Sequence, residues 1–279
     1  MRTATEARPR RLLAASLVAA ISAICLVAIA AGRPRRQVEL PQPGVPVLTL
    51  MTYNVNYGMA GDLDTLLAIR DSQAELVVLQ ETTPEWEHFM RLFLGNEYPH
   101  MVFEHTRHWA PGGMAVLSRG PLRADAPVDS PVGWFFGWRV EADTPLGKVQ
   151  VLDVHLRPAL SEPSSLTKGF FSTRRDRVRE IDAYLASLKP GIPTFVVGDF
   201  NEGDGGAALR RALDRGMDNA LPAFRPDATT WRWPVGPLTA RTRLDHILYE
   251  PARHHCLEAK VLHHGRSDHL PVVASFRMR

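Results

Sequence analysis

The stretch Thr194-Phe195-Val196-Val197-Gly198-Asp199-Phe200-Asn201 decides how this chain is read. Thr194–Val197 is short, rich in β-branched residues and closed by a glycine, which fits a strand better than a helix. It is apolar on both faces, as a strand covered from both sides is. It then ends in an aspartate and an asparagine two positions apart. If the chain stays extended there, Asp199 and Asn201 point the same way and Phe200 turns into the core.

The same pattern recurs outward from this stretch. Val47–Tyr53, Leu76–Leu79, Met114–Leu117, Val149–Leu156, His246–Tyr249 and Leu270–Phe276 are further short apolar runs with strand character. Helical patterns lie between them. In Arg174–Leu188, Val178, Ile181, Leu185 and Leu188 share one stripe with arginines opposite. Leu63–Arg70 is a shorter candidate after the cap residue Asp62. Strands dominate and helices punctuate, which predicts a mixed α/β or α+β domain built from packed sheets.

Polar residues flank these runs repeatedly: Asn54 after the first, Glu81 after the second, His155 near the end of its own, Asp199 and Asn201 as above, Asp245 and His246 before Ile247, and Asp268 and His269 before Leu270. One such residue is commonplace, because Asp and Asn cap turns. Six at the same kind of position predict one polar rim, since packed sheets bring strand ends together. Glu81, Asp199 and Asp268 are hard oxygen donors of the type Mg²⁺ takes. Asp268 and His269 are adjacent and diverge, so one can face a metal and the other a reacting group. A carboxylate such as Asp245 can hold the far nitrogen of that histidine and set its tautomer.

The set Thr52-Tyr53-Asn54-Val55-Asn56, Val78-Leu79-Gln80-Glu81, Gly113–Arg119, Asp153-Val154-His155-Leu156, Gly198-Asp199-Phe200-Asn201, Arg243-Leu244-Asp245-His246-Ile247 and Ser267-Asp268-His269-Leu270-Pro271 resembles the endonuclease/exonuclease/phosphatase superfamily. That group contains deoxyribonuclease I, exonuclease III-like abasic-site endonucleases, inositol polyphosphate 5-phosphatases and neutral sphingomyelinases. The resemblance implies a four-layer α/β sandwich with two central mixed β-sheets flanked by helices. It also implies metal-dependent hydrolysis of phosphate esters, with Mg²⁺ or Mn²⁺ as cofactor. Carried over by position, Glu81 is the principal metal ligand, and Asn54, Asp199 and Asp268 lie near the metal or phosphate. Asn201 orients the phosphate or the attacking water, and His269 paired with Asp245 is the general base. His155 hydrogen-bonds the phosphate, and this histidine sets the chain apart from abasic-site endonucleases, which usually carry tyrosine there.

Composition bounds the rest. At 279 residues, 45% hydrophobic and 23% charged, the chain is neither disordered nor fibrous. Its net charge of +3 is misleading, because residues 1–36 hold seven arginines against Glu6 alone. Residues 37–279 hold 26 basic and 29 acidic side chains, a net of −3, so composition gives no broad cationic surface for nucleic acid. Leu12–Gly32 is 21 residues without a charge, flanked by arginines on both sides. That length matches a bilayer core and predicts a membrane span over 12–32. Ala28-Ile29-Ala30 would suit signal-peptide cleavage, but the run is long and arginines follow at once, so an uncleaved signal anchor is preferred. A short tail before the span usually stays in the cytoplasm, which puts the bulk of the chain outside it. Residues 37–46, with three prolines and a glycine, read as a linker, and 47–279 as the domain. Cys25 and Cys256 are the only cysteines, so no disulfide forms within the domain.

The expected function is therefore a membrane-anchored phosphodiesterase or phosphatase at the cell membrane. Its substrate lies between a phospholipid or its head group, which the anchor favours slightly, and nucleic acid; no protein partner is implied. The alternatives are a cytoplasm-facing nuclease and, from another class, an inactive binding module of the same fold. Weaker features carry plainer expectations. Trp134-Phe135-Phe136-Gly137-Trp138 could touch lipid or stack on a base but reads rather as a core strand, and the polar stretch Arg157–Thr173 either shapes the substrate pocket or is a plain surface crossover. His254-His255 and His263-His264 read as solvated loop residues, and an arginine such as Arg241 or Arg243 near Trp231-Arg232-Trp233 as a phosphate contact.

Overall fold

A computed structural model of the chain describes residues 35–106, 110–158, 166–235 and 238–279, with the side chains of 166–172 and 235 outside that description. The span expected over 12–32 lies outside the described residues. Among the described residues no helix is long and apolar enough to cross a membrane.

The apolar runs pair into two six-stranded sheets. The first holds β1 (Leu48–Asn54), β2 (Leu76–Thr82), β3 (His100–Glu104), β4 (Gly113–Ser118), β13 (His254–Val261) and β14 (Val272–Met278) in the order β13-β14-β1-β2-β4-β3. The second holds β5 (Leu122–Ala124), β6 (Gly137–Thr144), β7 (Gly147–His155), β8 (Thr194–Asp199), β9 (Asp218–Asn219) and β12 (Asp245–Tyr249) in the order β5-β6-β7-β8-β12-β9. Each sheet is mixed: β1 runs parallel to β2 and β7 to β8, and the other pairs are antiparallel. A separate hairpin joins β10 (Trp231–Val235) to β11 (Leu238–Thr242).

Strand alternation explains the layers. In β1, Leu48 and Leu50 enter the apolar core between the sheets, where they meet Val151, Val197 and Ile247 of the second sheet. Met51 and Tyr53 point the other way, against α1 (Leu63–Asp71) and α2 (Pro84–Leu94). On the far side, Leu152, Val154 and Val196 pack on α3 (Leu166–Leu185) and α4 (Ala207–Leu213). A short α5 (Ala220–Phe224) closes the inter-sheet core at one edge. Helix, sheet, sheet and helix are thus stacked as four layers. Asp62 caps α1 by accepting from Thr65 N at 3.0 Å, and Thr83 caps α2 by accepting from Trp86 N at 3.2 Å, with Pro84 at the first helical position.

Several local expectations need correction. Strand β6 starts only at Gly137, so Trp134-Phe135-Phe136 is a loop, held where the Tyr184 hydroxyl donates to the Phe135 carbonyl. Helix α3 starts at Leu166 and ends at Leu185, taking in much of the stretch read as a polar crossover. His254 is buried in β13 beside Phe195 and Phe276, whereas His263 and His264 are exposed. Residues 37–46 form no regular element, and Glu39 docks onto β13 through its N–H to Leu257 O at 3.0 Å and its carboxylate to His255 at 2.8 Å.

Candidate active site

The polar rim expected from the strand ends is one cluster, and it is divided between the two sheets. The first sheet brings Asn54 at the end of β1, Glu81 near the end of β2, and Asp268 and His269 just before β14. The second brings His155 at the end of β7, Asp199 at the end of β8 and Asp245 at the start of β12. Asp245 and Asp199 are register partners, because β12 runs antiparallel to β8. Gly198 lets β8 approach β7 this closely: its φ is 134°, and a Cβ there would collide with the Val154 carbonyl.

The backbone is strained around the rim. Four described non-glycine residues have positive φ, and three are here: Asn56 at 62°, Glu81 at 60° and Asn201 at 50°. Such conformations persist where surrounding bonds over-determine them. The Asn56 side chain accepts from Gly58 N at 3.0 Å and donates to Asp268 Oδ1 at 3.0 Å. Asn201 N donates to Asp199 Oδ1 at 2.8 Å, and its amide nitrogen to Leu156 O at 2.9 Å. The turn at Asn201 departs from the extended geometry expected for Asp199-Phe200-Asn201, yet Phe200 is buried in the core as expected.

Asp245 and His269 form the tightest functional pair. His269 Nδ1 lies 2.9 Å from Asp245 Oδ2 and 3.1 Å from Oδ1, and its Nε2 faces Asp199 Oδ2 at 3.6 Å. Ser267 sets this histidine, accepting from His269 N at 3.1 Å while its hydroxyl donates to Asn54 O at 2.8 Å. Burial would drain the charge from His269, but Asp245, Asp199 and Asp268 hold its pKa up at about 10. Burial pushes Asp199 up to about 7, against the pull of His269 and with a further push from Asp245. His155 goes the other way: burial and the charge on His269 lower it to about 3, so it is a neutral imidazole. Its Nε2 sits 3.6 Å from Asp199 Oδ2 and 3.9 Å from Glu81 Oε1, and its ring stacks on Phe135 at 3.8 Å and 12°.

Glu81, Asn54 and Asp268 make the oxygen-rich side. Glu81 accepts from Asn54 Nδ2 at 2.9 Å and from Tyr57 N at 3.3 Å, and Asn54 also donates to Asp199 at 3.3 Å. Asp268 accepts from Asn56 and, at 3.1 Å, from Trp231 Nε1. Burial raises the pKa of Glu81, and the nearby Asp268 charge adds to the rise. Asp199, Asp245 and His269 bring ligand-type atoms within 4.8 Å of one another, but Asp245 is spent on His269 Nδ1. The donors left for a cation are Glu81, Asn54 and Asp268, a hard set whose crowded negative charge suits a divalent ion.

Eight of the nine flanking residues marked in the sequence therefore meet in one rim; His246 turns instead to Asn219 and the Glu202 carbonyl, and Arg243 does not reach the rim. Its guanidinium is buried and consumed by Asp204 at 2.6 Å and by the carbonyls of Arg225, Pro226 and Ala228. Sequence reading gave Asn56 and Ser267 no role although both stand in its motifs, took Phe135 for core, and missed the layer below the rim. There Gln80 Nε2 donates to Asp153 Oδ1 at 2.7 Å and to Thr52 Oγ1 at 3.3 Å. The available signal was spacing, since Asp153 stands two residues before His155 on the same strand face.

Comparison with known proteins agrees with this fold. The structure of an endonuclease/exonuclease/phosphatase from Beutenbergia cavernae is similar over 84% of this chain and 72% of its own, with a TM-score of 0.61 and 20% identity. The human Nocturnin catalytic domain with bound sulfate anion covers 90% of this chain over 100% of its own, with a TM-score of 0.63 and 18% identity. D. rerio TDP2 complexed with a single-strand DNA product covers 83% of this chain and 99% of its own, with a TM-score of 0.64 and 15% identity. At these identities the likeness concerns the fold. A search of curated proteins returned no match. The model of the endonuclease/exonuclease/phosphatase family matches residues 51–269, which takes in every residue of the rim, and the chain belongs to that family.

Proposed function

We propose that the chain hydrolyses a phosphodiester bond with the help of a divalent cation, Mg²⁺ or Mn²⁺, and that its substrate is a nucleic acid. The observation that carries this reading is the Asp245–His269 pair, whose free Nε2 faces a rim shared with His155, Asp199 and Glu81. Asp245 fixes the Nδ1–H tautomer, so that Nε2 takes the proton of the attacking water. Neutral His155 donates to the phosphate oxygens and stabilises the charge that grows on them, while Asn201, whose amide donates to Leu156 O and Asp199 Oδ2, orients Asp199 beneath the phosphate. Glu81, Asn54 and Asp268 would hold the cation. Bound there, it supplies positive charge that neutralises the phosphate oxygens and relieves the carboxylate crowding, so that His269 can lose its proton.

The nucleic-acid substrate draws support from D. rerio TDP2, whose structure holds a single-strand DNA product. A lipid ester is the second reading, favoured by the uncharged stretch over 12–32, which would anchor the domain to the membrane with residues 47–279 outside the cytoplasm. The test is hydrolysis of plasmid DNA, single-stranded DNA, RNA, sphingomyelin, glycerophospholipids, inositol phosphates and bis-p-nitrophenyl phosphate, in Mg²⁺ and in EDTA. Turnover of a nucleic acid that EDTA and His269→Ala both abolish is expected. Preferential turnover of a lipid would replace the substrate, and turnover indifferent to both would overturn the site. A C-terminal reporter active only outside the cytoplasm tests the orientation; silence there would favour the cytoplasm-facing nuclease.

A further inference from the structure

The hairpin β10–β11 belongs to neither large sheet, and it begins at the rim. Trp231 makes an isolated bridge with His269, its indole N–H donates to Asp268 Oδ2, and Arg232 N donates to Asp268 O at 3.0 Å. From there the strand leads outward. Trp231 and Trp233 are two residues apart and so share a face. Their rings are 6.1 Å apart and 7° from parallel. Neither belongs to any of the three apolar cores, and Trp233 is 49% exposed. Its cross-strand partner is the small Ala240, which leaves the indole uncovered. The other face of the hairpin pairs exposed Arg232 with exposed Arg241, and Arg241 makes no ion pair among the described residues.

An exposed indole on a two-stranded hairpin adds nothing to a core and leaves a large apolar face in water. The two indoles stack, starting at the hydrogen bond to Asp268, and the exposed Trp233 ends the stack on the side away from the rim. The ligand such a surface takes is a planar ring, and the neighbouring rim, read above as a phosphate site, makes that ring a nucleobase. We infer that Trp233, backed by Trp231, is a stacking platform for a base of single-stranded nucleic acid whose phosphate lies at the rim. This rests on the phosphodiesterase reading and names the part of the substrate that the rim itself does not hold.

The test uses the full-length chain in detergent, with EDTA so that no strand is cut. Tryptophan fluorescence is followed during titration with a twelve-residue thymidine strand and with an abasic strand of equal length and charge. The thymidine strand is expected to quench the indoles and bind about 10-fold tighter than the abasic one, the low end of what one stacked base contributes. Trp233→Leu, which keeps apolar bracing of Trp231, is expected to erase that difference, and Trp233→Phe to keep most of it. Equal binding of the two strands, binding of neither, or a difference that survives Trp233→Leu overturns the platform. So does a larger response to phosphatidylcholine vesicles than to the thymidine strand, which would make the hairpin a lipid contact. Hydrolysis of bis-p-nitrophenyl phosphate in Mg²⁺ is measured separately. If hydrolysis is absent and the strand difference present, the phosphodiesterase reading falls and the platform stands; if hydrolysis is present and the difference absent, only the platform falls.

Discussion

Gln80 of β2 and Asp153 of β7 are hydrogen-bonded across the gap between the two sheets, at 2.7 Å and fully buried. Gln80 is one residue from Glu81, and Asp153 two from His155. The rim draws residues from both sheets, so the spacing of its halves is set where the sheets touch. This bond is a polar tie between them, directly beneath the rim. Burial raises the pKa of Asp153 well above 3.8, and the hydrogen bond from Gln80 opposes that only in part.

The tie predicts a pH-dependent stability. A carboxyl raised in the folded state contributes fully below its ordinary value of 3.8, and that contribution is lost as pH rises toward the folded value. Asp153→Asn is permanently neutral. Its thermal midpoint is expected to match that of the wild type near pH 4 and to exceed it at pH 8. A gap that stays constant with pH would refute this account.

Removing the tie is expected to hurt geometry and stability together. Asp153→Leu leaves the buried Gln80 amide with only its long bond to Thr52 Oγ1, at a cost of about 1–3 kcal/mol. With Glu81 and His155 no longer held in register, kcat is expected to fall on the order of 10–100-fold, and Asp153→Asn to retain most of it. Equal kcat in Leu and Asn variants would reduce Asp153 to a packing residue.

The Asp245–His269 pair predicts a loss in the chemical step. In Asp245→Asn the side-chain amide can present an N–H to Nδ1 and select the wrong tautomer. A fall in kcat of about 10²–10⁴-fold is expected, with KM little changed. Steady-state kinetics on bis-p-nitrophenyl phosphate would expose the opposite pattern, a raised KM at full kcat.

Cation binding should register as stability. A cation present at 100 times its Kd stabilises the folded chain by about 2.7 kcal/mol. Mg²⁺ is therefore expected to raise the thermal midpoint of the wild type and not that of Glu81→Gln. An equal rise in both would remove Glu81 from the ligand set.

Acid stability should depend on a second cluster, away from the rim. Arg139 is 1% exposed and pairs with Asp125 and Glu141, which Arg123 and Lys189 also reach. Burial works against the Glu141 charge, but hydrogen bonds from Arg139, Arg123 and Lys189 bring its pKa down to about 2. A depressed carboxyl stabilises above its ordinary value of 4.5 and loses that contribution as pH falls toward 2. The urea midpoint is expected to drop less steeply between pH 4.5 and 2 in Glu141→Gln than in the wild type.

The rim was legible because an apolar run followed by a turn residue fixes both where a strand stops and what stands at its end, as at Asn54, Glu81 and Asp199. The paired sheets were legible for the same reason. Gln80 and Asp153 were not, because a polar residue within a strand declares its partner only when the facing sheet is known. Phe135 was hidden by its own hydrophobicity, since an aromatic run reads as core wherever it falls. Arg243 misled in the opposite sense: an arginine beside a catalytic-type aspartate reads as a phosphate contact, yet carbonyls and Asp204 use up its donors. The start of α3 at Leu166 was missed because the stripe read from the sequence began only at Arg174.

Strand β1 opens the domain and β14 ends it, yet the two are neighbours, with Leu48 opposite Phe276. Asn54 and His269 stand at the ends of this pair, so the rim closes through contacts between the first and last parts of the chain. Contacts of such long sequence separation form slowly. A chain emerging from the ribosome carries Asn54, Glu81, His155 and Asp199 long before Asp268 and His269 follow. The rim is therefore incomplete throughout synthesis, and it forms only when β14 takes its place beside β1.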